Sequence, residues 1–205
     1  MDNRIWLWVA LGLVLLLLMR PLGPPGTEPF LDRSYAHREV QDYTLDLFRQ
    51  DQVRLENVRG VVEVHGWPER LLRLEVVKYA DDPQTLKGIG VELRKETTSV
   101  RVAPTAPAAL GRLDYRVWVP FGVRLELRQE AGRIHLVGVQ SLTEISVELE
   151  AGELWLEEVK APRILLRVGA GRVQLREVQG RVDLQAGGKG FHPGSIPKRT
   201  QGGDR

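Results

Sequence analysis

From Tyr43 to Ala186 apolar and polar residues alternate with a period of two, the pattern of strands that bury one face. Thr44–Phe48, Val53–Val58, Val61–His65 and Leu72–Val77 alternate first, and turn signals at Arg59-Gly60 and Gly66-Trp67-Pro68 separate them. Val91–Arg94, Ser99–Val102 and Asp114–Val119 continue the pattern, with a Pro- and Ala-rich loop from Pro104 to Gly111. The one helical candidate, Asp82–Lys87, is too short to predict more than a turn.

In the last third the alternation acquires a second, longer period. Ala131-Gly132-Arg133-Ile134-His135-Leu136, Ala151-Gly152-Glu153-Leu154-Trp155-Leu156 and Ala170-Gly171-Arg172-Val173-Gln174-Leu175 place their glycines 20 and then 19 residues apart. A fixed repeat near that length, strand-like inside, predicts coils stacked so that each buries the apolar face of the next. The expected fold is therefore all-β, a single-domain β-solenoid or two-layer repeated β-sheet with rungs of about 20 residues. Gly180-Arg181-Val182-Asp183-Leu184-Gln185-Ala186 reads as a last copy of the second, Ala-Gly strand with residues missing.

Charge supports the same register. If residues 19 or 20 apart lie over one another, Glu144 meets Arg163, Glu148 meets Arg167, Glu153 falls between Arg133 and Arg172, and Glu157 meets Arg176. Inward, Ile145 meets Ile164, Val147 meets Leu166, and Leu149 meets Val168. The one misfit, Glu158 with Glu177, is predicted at an exposed corner.

Outside the alternating region the chain changes character. Ile5 to Met19 carries no charge and is bounded by Arg4 and Arg20. As a helix it would be about 22 Å long, a short span of the ~30 Å hydrocarbon core, with Arg4 and Arg20 snorkelling. No small-x-small cleavage site follows, so the expectation is an uncleaved transmembrane signal-anchor over residues 1–20. Residues 21–42, opening Pro-Leu-Gly-Pro-Pro-Gly, read as a stiff spacer, 43–186 as the solenoid domain, and 187–205 as a disordered basic tail. The domain is expected on the extracytoplasmic side of the cell membrane, held by a single pass.

The segment Val117-Trp118-Val119-Pro120-Phe121-Gly122-Val123-Arg124-Leu125-Glu126-Leu127, running into Ala131-Gly132-Arg133-Ile134-His135-Leu136, resembles the bacterial putative-adhesin domain family of unknown function. Asn57-Val58-Arg59-Gly60-Val61-Val62-Glu63-Val64 is similar to that family's opening rung, and the resemblance covers roughly residues 43 to 186. It implies a β-solenoid or two-layer repeated sheet, commonly tethered by one membrane span and without assigned catalysis. Here Ala-Gly stands where Asn-Gly is usual in that family.

Composition narrows the chemistry. Lys plus Arg number 29 against 27 Asp plus Glu, so no basic field calls for nucleic acid. Cysteine is absent, which removes thiol nucleophiles and zinc-thiolate sites. The four histidines, His37, His65, His135 and His192, are isolated from ligand-spaced partners. Glu157-Glu158 and Asp81-Asp82 are adjacent pairs, which a strand points to opposite faces. Neither a Gly-x-Ser-x-Gly elbow nor a phosphate-cradling Gly-rich loop with Lys-Ser/Thr is present. No cofactor, metal or catalytic residue is expected.

What remains is binding. Alternation turns Trp155 outward between His135 and Gln174 of the neighbouring rungs, an aromatic platform for a glycan or protein ligand. Trp67 and Trp118 are expected in the core or a cap. The function read from the sequence is a non-enzymatic membrane-anchored envelope scaffold or adhesion-like module. The alternatives are a membrane-bound regulatory partner of an envelope-stress signalling system and a carbohydrate-active β-helix enzyme.

Overall fold

The computed structural model describes residues 34–47, 51–105, 111–187 and 192–193. The strands are β1 (His37–Asp46), β2 (Gln52–Trp67), β3 (Leu71–Ala80), β4 (Val91–Lys95), β5 (Ser99–Pro104), β6 (Arg112–Pro120), β7 (Arg124–Val137), β8 (Glu144–Glu157), β9 (Lys160–Arg176), β10 (Gln179–Ala186) and β11 (His192–Pro193). Between β3 and β4 a six-residue helix, Pro83–Gly88, is capped by Asp82, whose carboxylate accepts hydrogen bonds from the Gln84 and Thr85 amides at 3.0 and 2.8 Å. The Asp81-Asp82 pair is thus accounted for at one of its members by helix capping.

All strands join one sheet, in the order β1-β3-β6-β2-β7-β8-β9-β10, with β5 and β4 branching from β2 and β11 lying on β9. β2, β7, β8, β9 and β10 run parallel. β7 and β8 pair at a shift of 20 residues and β8 and β9 at 19, the two intervals of the sequence repeat. Gly60, Gly132, Gly152 and Gly171 lie opposite one another on β2, β7, β8 and β9.

These glycines let each long strand change face. On β7 the buried positions before the bend are Leu125, Leu127 and Gln129, and after it Ile134 and Leu136, so the buried parity moves from odd to even across Ala131-Gly132. Gly152 has φ +139°, and a Cβ built on it would sit 1.8 Å from the Gly132 carbonyl oxygen. Backbone freedom and close approach therefore both demand glycine there. Arg59-Gly60, read as a turn between two strands, is such a bend inside one continuous strand: Gly60 has φ +145° and β2 runs through it. The bend is lined on the inside by amides. Asn57 donates to the Leu113 carbonyl at 2.9 Å, and Gln129 donates to the Gly60 and Ala131 carbonyls at 2.8 Å each. The second corner uses Gly138, Glu158 and Glu177 with φ of 63°, 54° and 52°, and both glutamates are exposed as their like charge requires.

Inward side chains of both strand halves merge into one apolar core that includes Val53, Leu55, Val62, Val64, Leu125, Leu127, Ile134, Leu136, Ile145, Leu154, Leu156, Ile164 and Leu166. On the outside, Arg133 reaches Glu153 at 3.2 Å, Arg172 reaches Glu153 at 3.7 Å, Arg163 reaches Glu144 at 3.7 Å, and Arg176 pairs with Glu157. Glu148 lies opposite Arg167 in register, but its carboxylate turns to Arg128 at 3.5 Å while Arg167 donates to Gln185.

Three boundaries differ from the sequence reading. β1 opens at His37, so residues 37–42 belong to the sheet rather than the spacer. Alternation is hidden there because the half-buried side of β1 carries Glu39 and Gln41. Second, Val182 lies opposite Ile164 and Leu184 opposite Leu166, so the last copy stacks on the first half of β9 and not on its Ala-Gly half. The local likeness of Gly180-Arg181-Val182 to Gly171-Arg172-Val173 misleads; the distance along the chain, 19 residues at Gln179 and 18 after the bulge, decides the partner. Third, His192–Pro193 of the predicted tail pairs with Arg172–Val173. Gly187, the first residue of the predicted tail, donates its amide to the Val168 carbonyl at 3.0 Å, while the predicted anchor at 1–20 and tail residues 188–191 and 194–205 lie outside the described residues. Among the described residues no helix is long and apolar enough to cross a membrane.

Candidate functional site

The pairing register, parallel from β6 to β9 and antiparallel between β3 and β6, sets outward residues of six neighbouring strands into straight rows. One row reads Glu75, Arg116, Glu63, His135, Trp155, Gln174 across β3, β6, β2, β7, β8 and β9. The next row, two residues further along each parallel strand, reads Arg73, Trp118, His65, Val137, Glu157, Arg176. His135, Trp155 and Gln174, singled out from sequence, are thus brought side by side.

Trp155 is half-buried rather than a bare platform. The Arg133 guanidinium carbon lies 5.4 Å from its ring centroid, and His135 approaches edge-on at 5.6 Å with an interplanar angle of 77°. The indole Nε1 is buried and has no hydrogen-bond partner among the described residues. Beside it an open groove of about 520 Å³ is lined by His135, Trp155, Glu157, Arg172, Gln174 and Arg176. The groove therefore combines an aromatic wall with Arg and Gln donors.

His135 Nε2 lies 3.4 Å from the Glu157 carboxylate. Burial nevertheless pushes the His135 pKa below the usual imidazole value, with Arg133 acting in the same direction and Glu63 against it. His65 is lowered in the same way, first by burial, and its Nε2 is 3.9 Å from Glu63. Both imidazoles favour the neutral form more than a free histidine does.

A second aromatic group stands on the same face, in positions the sequence reading assigned to the core or a cap. Trp67 and Trp118 are half-buried on the outside of the sheet. Trp118 stacks on His65 at 5.7 Å and 25°, meets Trp67 at 6.5 Å, and carries the Arg73 guanidinium 4.8 Å over its ring. Trp67 donates its indole N–H to the Leu71 carbonyl at 2.8 Å. The signal for Trp118 was present in the alternation: Tyr115, Val117 and Val119 are buried, so Trp118 between the last two must face out. From β6 to β8 is three strand spacings, about 14 Å between the two aromatic groups.

Carboxylates on this face are engaged. Glu63 and Glu75 pair with Arg116 at 3.1 and 3.3 Å, Asp114 pairs with Arg112 at 2.6 Å, Glu153 pairs with Arg133 and Arg172, and Glu157 pairs with Arg176.

No protein-family model matches the chain, and no curated protein does. Among solved structures it is similar to a putative cell adhesion protein from Clostridium sporogenes, at 11% identity over 77% of this chain and 99% of that one, with a TM-score of 0.49. It is also similar to a putative adhesin from Bacteroides fragilis, at 7% identity over 77% of this chain and 97% of that one, with a TM-score of 0.26.

Proposed function

We propose that this chain is a non-enzymatic envelope protein: a β-solenoid held at the cell membrane by its N-terminal segment, acting outside the cell as a scaffold or adhesion-like binding module. The observation that carries this reading is the outer face on which His135, Trp155 and Gln174 stand in register along an open groove that Arg172 and Arg176 also line. Such a face offers stacking edges, guanidinium and amide donors, and a rigid backbone beneath them, which suits a glycan or a protein surface. Hydrolysis of a glycan needs one carboxyl group free to deliver a proton near the bond it cleaves. On this face the acids are instead committed to arginines, which favours binding over turnover.

Proteolysis of intact cells tests the reading. An extracytoplasmic domain is cleaved by added protease while a cytoplasmic marker survives; protection of the domain until the cells are lysed removes the adhesion reading altogether. Binding of purified envelope polysaccharide to the full chain, lost in Trp155→Ala with the melting temperature retained, would place the contact on this face. Binding unchanged in that variant would place it elsewhere.

A further inference from the structure

β10 closes the parallel series with an edge that is paired on one side only among the described residues. At equivalent inward positions of the preceding strands, Ile145, Val147, Ile164 and Leu166 are 0 or 1% exposed. Val182 and Leu184 are only half-buried, and an open groove of about 450 Å³ is lined by Leu166, Val182, Leu184, Arg181 and Asp183 among others. An edge of this kind, with free backbone donors and acceptors and apolar side chains beside them, is a template for another strand.

We propose that the occupant is β10 of a second copy of this chain, paired antiparallel about a two-fold axis at Val182. Charge selects both partner and register. A path of ion pairs runs from Arg124 to Glu144 at 2.7 Å, to Arg163 at 3.7 Å, to Asp183 at 3.6 Å and to Arg181 at 3.2 Å. Arg163 and Arg181 lie opposite one another, so Asp183 serves two guanidinium groups, and the path ends on Arg181, whose side chain is 76% exposed. Setting Val182 against Val182 of the second copy places Arg181 opposite Asp183 twice and continues the alternation of sign across the seam. Moving the axis one residue along the strand opposes Asp183 with Asp183 one way and Arg181 with Arg181 the other. A register that pairs residues of unlike facing is excluded, because it sets inward side chains against outward ones. The opposite edge is no substitute partner: the half-buried side of β1 carries Glu39, Gln41 and Tyr43, which would face Val182 and Leu184.

The chain contains no cysteine, so one introduced thiol reports one contact. In the full chain, Val182→Cys sets two Cβ atoms directly opposite across the seam, within about 5 Å and near disulfide reach. Mild oxidation in membranes is expected to give a disulfide-linked dimer on a non-reducing gel. Val40→Cys, exposed on the opposite edge strand, is expected to remain monomeric. In the Val182→Cys chain, Arg181→Asp should cut the dimer at least ten-fold, and Arg181→Asp with Asp183→Arg should restore it, each variant melting as the parent does. A monomeric Val182→Cys chain, equal cross-linking at Val40, or a charge exchange that fails to restore the dimer overturns the proposal. So does a dimer that forms only once residues 194–205 are removed, since the edge would then belong to the chain's own tail.

Discussion

The two ends of the parallel series are finished in opposite ways. Beyond β2 the sheet continues through β6 and β3 to β1, whose half-buried side packs Tyr43 and Leu45 on the core and otherwise carries a polar chain: Tyr43 donates to Gln41 at 2.8 Å, Gln41 donates to Glu39 at 2.7 Å, and Glu39 receives the buried Lys78 ammonium at 2.8 Å. At the other end β10 lays Val182 and Leu184 over Ile164 and Leu166, and among the described residues no strand pairs with its outer edge. A repeated sheet needs a terminal strand that does not ask for another neighbour. β1 meets that need with hydrogen-bonded polar side chains, and β10 does not, which is why the self-association edge is assigned there.

The largest expected effect separates the middle of the series from its open end. Gly152→Ala forces a Cβ against the Gly132 carbonyl at a backbone angle closed to alanine, between two fixed strands, and should cost about 4 kcal/mol or more, read by chemical denaturation. Gly180→Ala meets an equally close atom, the Ala161 carbonyl oxygen at 1.7 Å, but on a strand free to move outward. Its effect should be local, seen as faster amide exchange in β10 with the global midpoint little changed. Equal global losses would show the middle and the open end to be equally constrained.

Core truncations sharpen the same contrast at smaller cost. Leu156→Ala, 1% exposed between Leu136 and Leu175, should lose roughly 2 to 5 kcal/mol, whereas Leu184→Ala on the last strand should lose about 1 kcal/mol or less. At the closed end, Glu39→Ala leaves Lys78 buried without its acid and should cost about 1 to 2 kcal/mol, discounted because Glu39 is itself half-exposed. Adding Lys78→Met should recover most of that loss; a double variant no better than Glu39→Ala would mean that the pair does not close this end.

Acid should act on the closed end and the outer face by separate routes. The Lys78 hydrogen bond, the largest cause, holds Glu39 below the ordinary carboxylate value. Its contribution is therefore complete above the unfolded-state pKa and is lost as pH falls through the lower folded-state value. Amide exchange in β1, but not in β10, should quicken there. His65 and His135 are lowered too, first by burial, so stability from their neutral forms is present above the free imidazole value and declines as pH falls below it. The pair His65→Gln and His135→Gln should flatten that decline between about pH 7 and 5. The smallest effect belongs to the exposed corner, where Glu158→Gly relieves a φ of 54° and should gain up to about 1 kcal/mol in thermal melting.

From Arg124 to Val178 the sequence was legible nearly residue by residue. The repeat interval equals the pairing shift, so inward Leu154, outward Trp155 and the Arg133–Glu153–Arg172 ladder follow from counting. The same counting brought His135, Trp155 and Gln174 together, yet it did not reach Trp118 and His65, which extend their face: β2 shares the glycine column through Gly60, but β6 and β2 lie outside the fixed interval of the repeat.

Along the repeat, which side of each strand is buried was determined by the sequence alone, since successive side chains point oppositely by covalent geometry and apolar groups leave water whatever their neighbours are. Which strands became neighbours before the repeat begins was decided only in three dimensions. β2 lies beside β7 across some seventy residues, β1 and β3 sit beyond β6, and β10 rests on the first half of β9, because hydrogen-bonding edges and apolar faces find one another through space and not at a fixed interval along the chain.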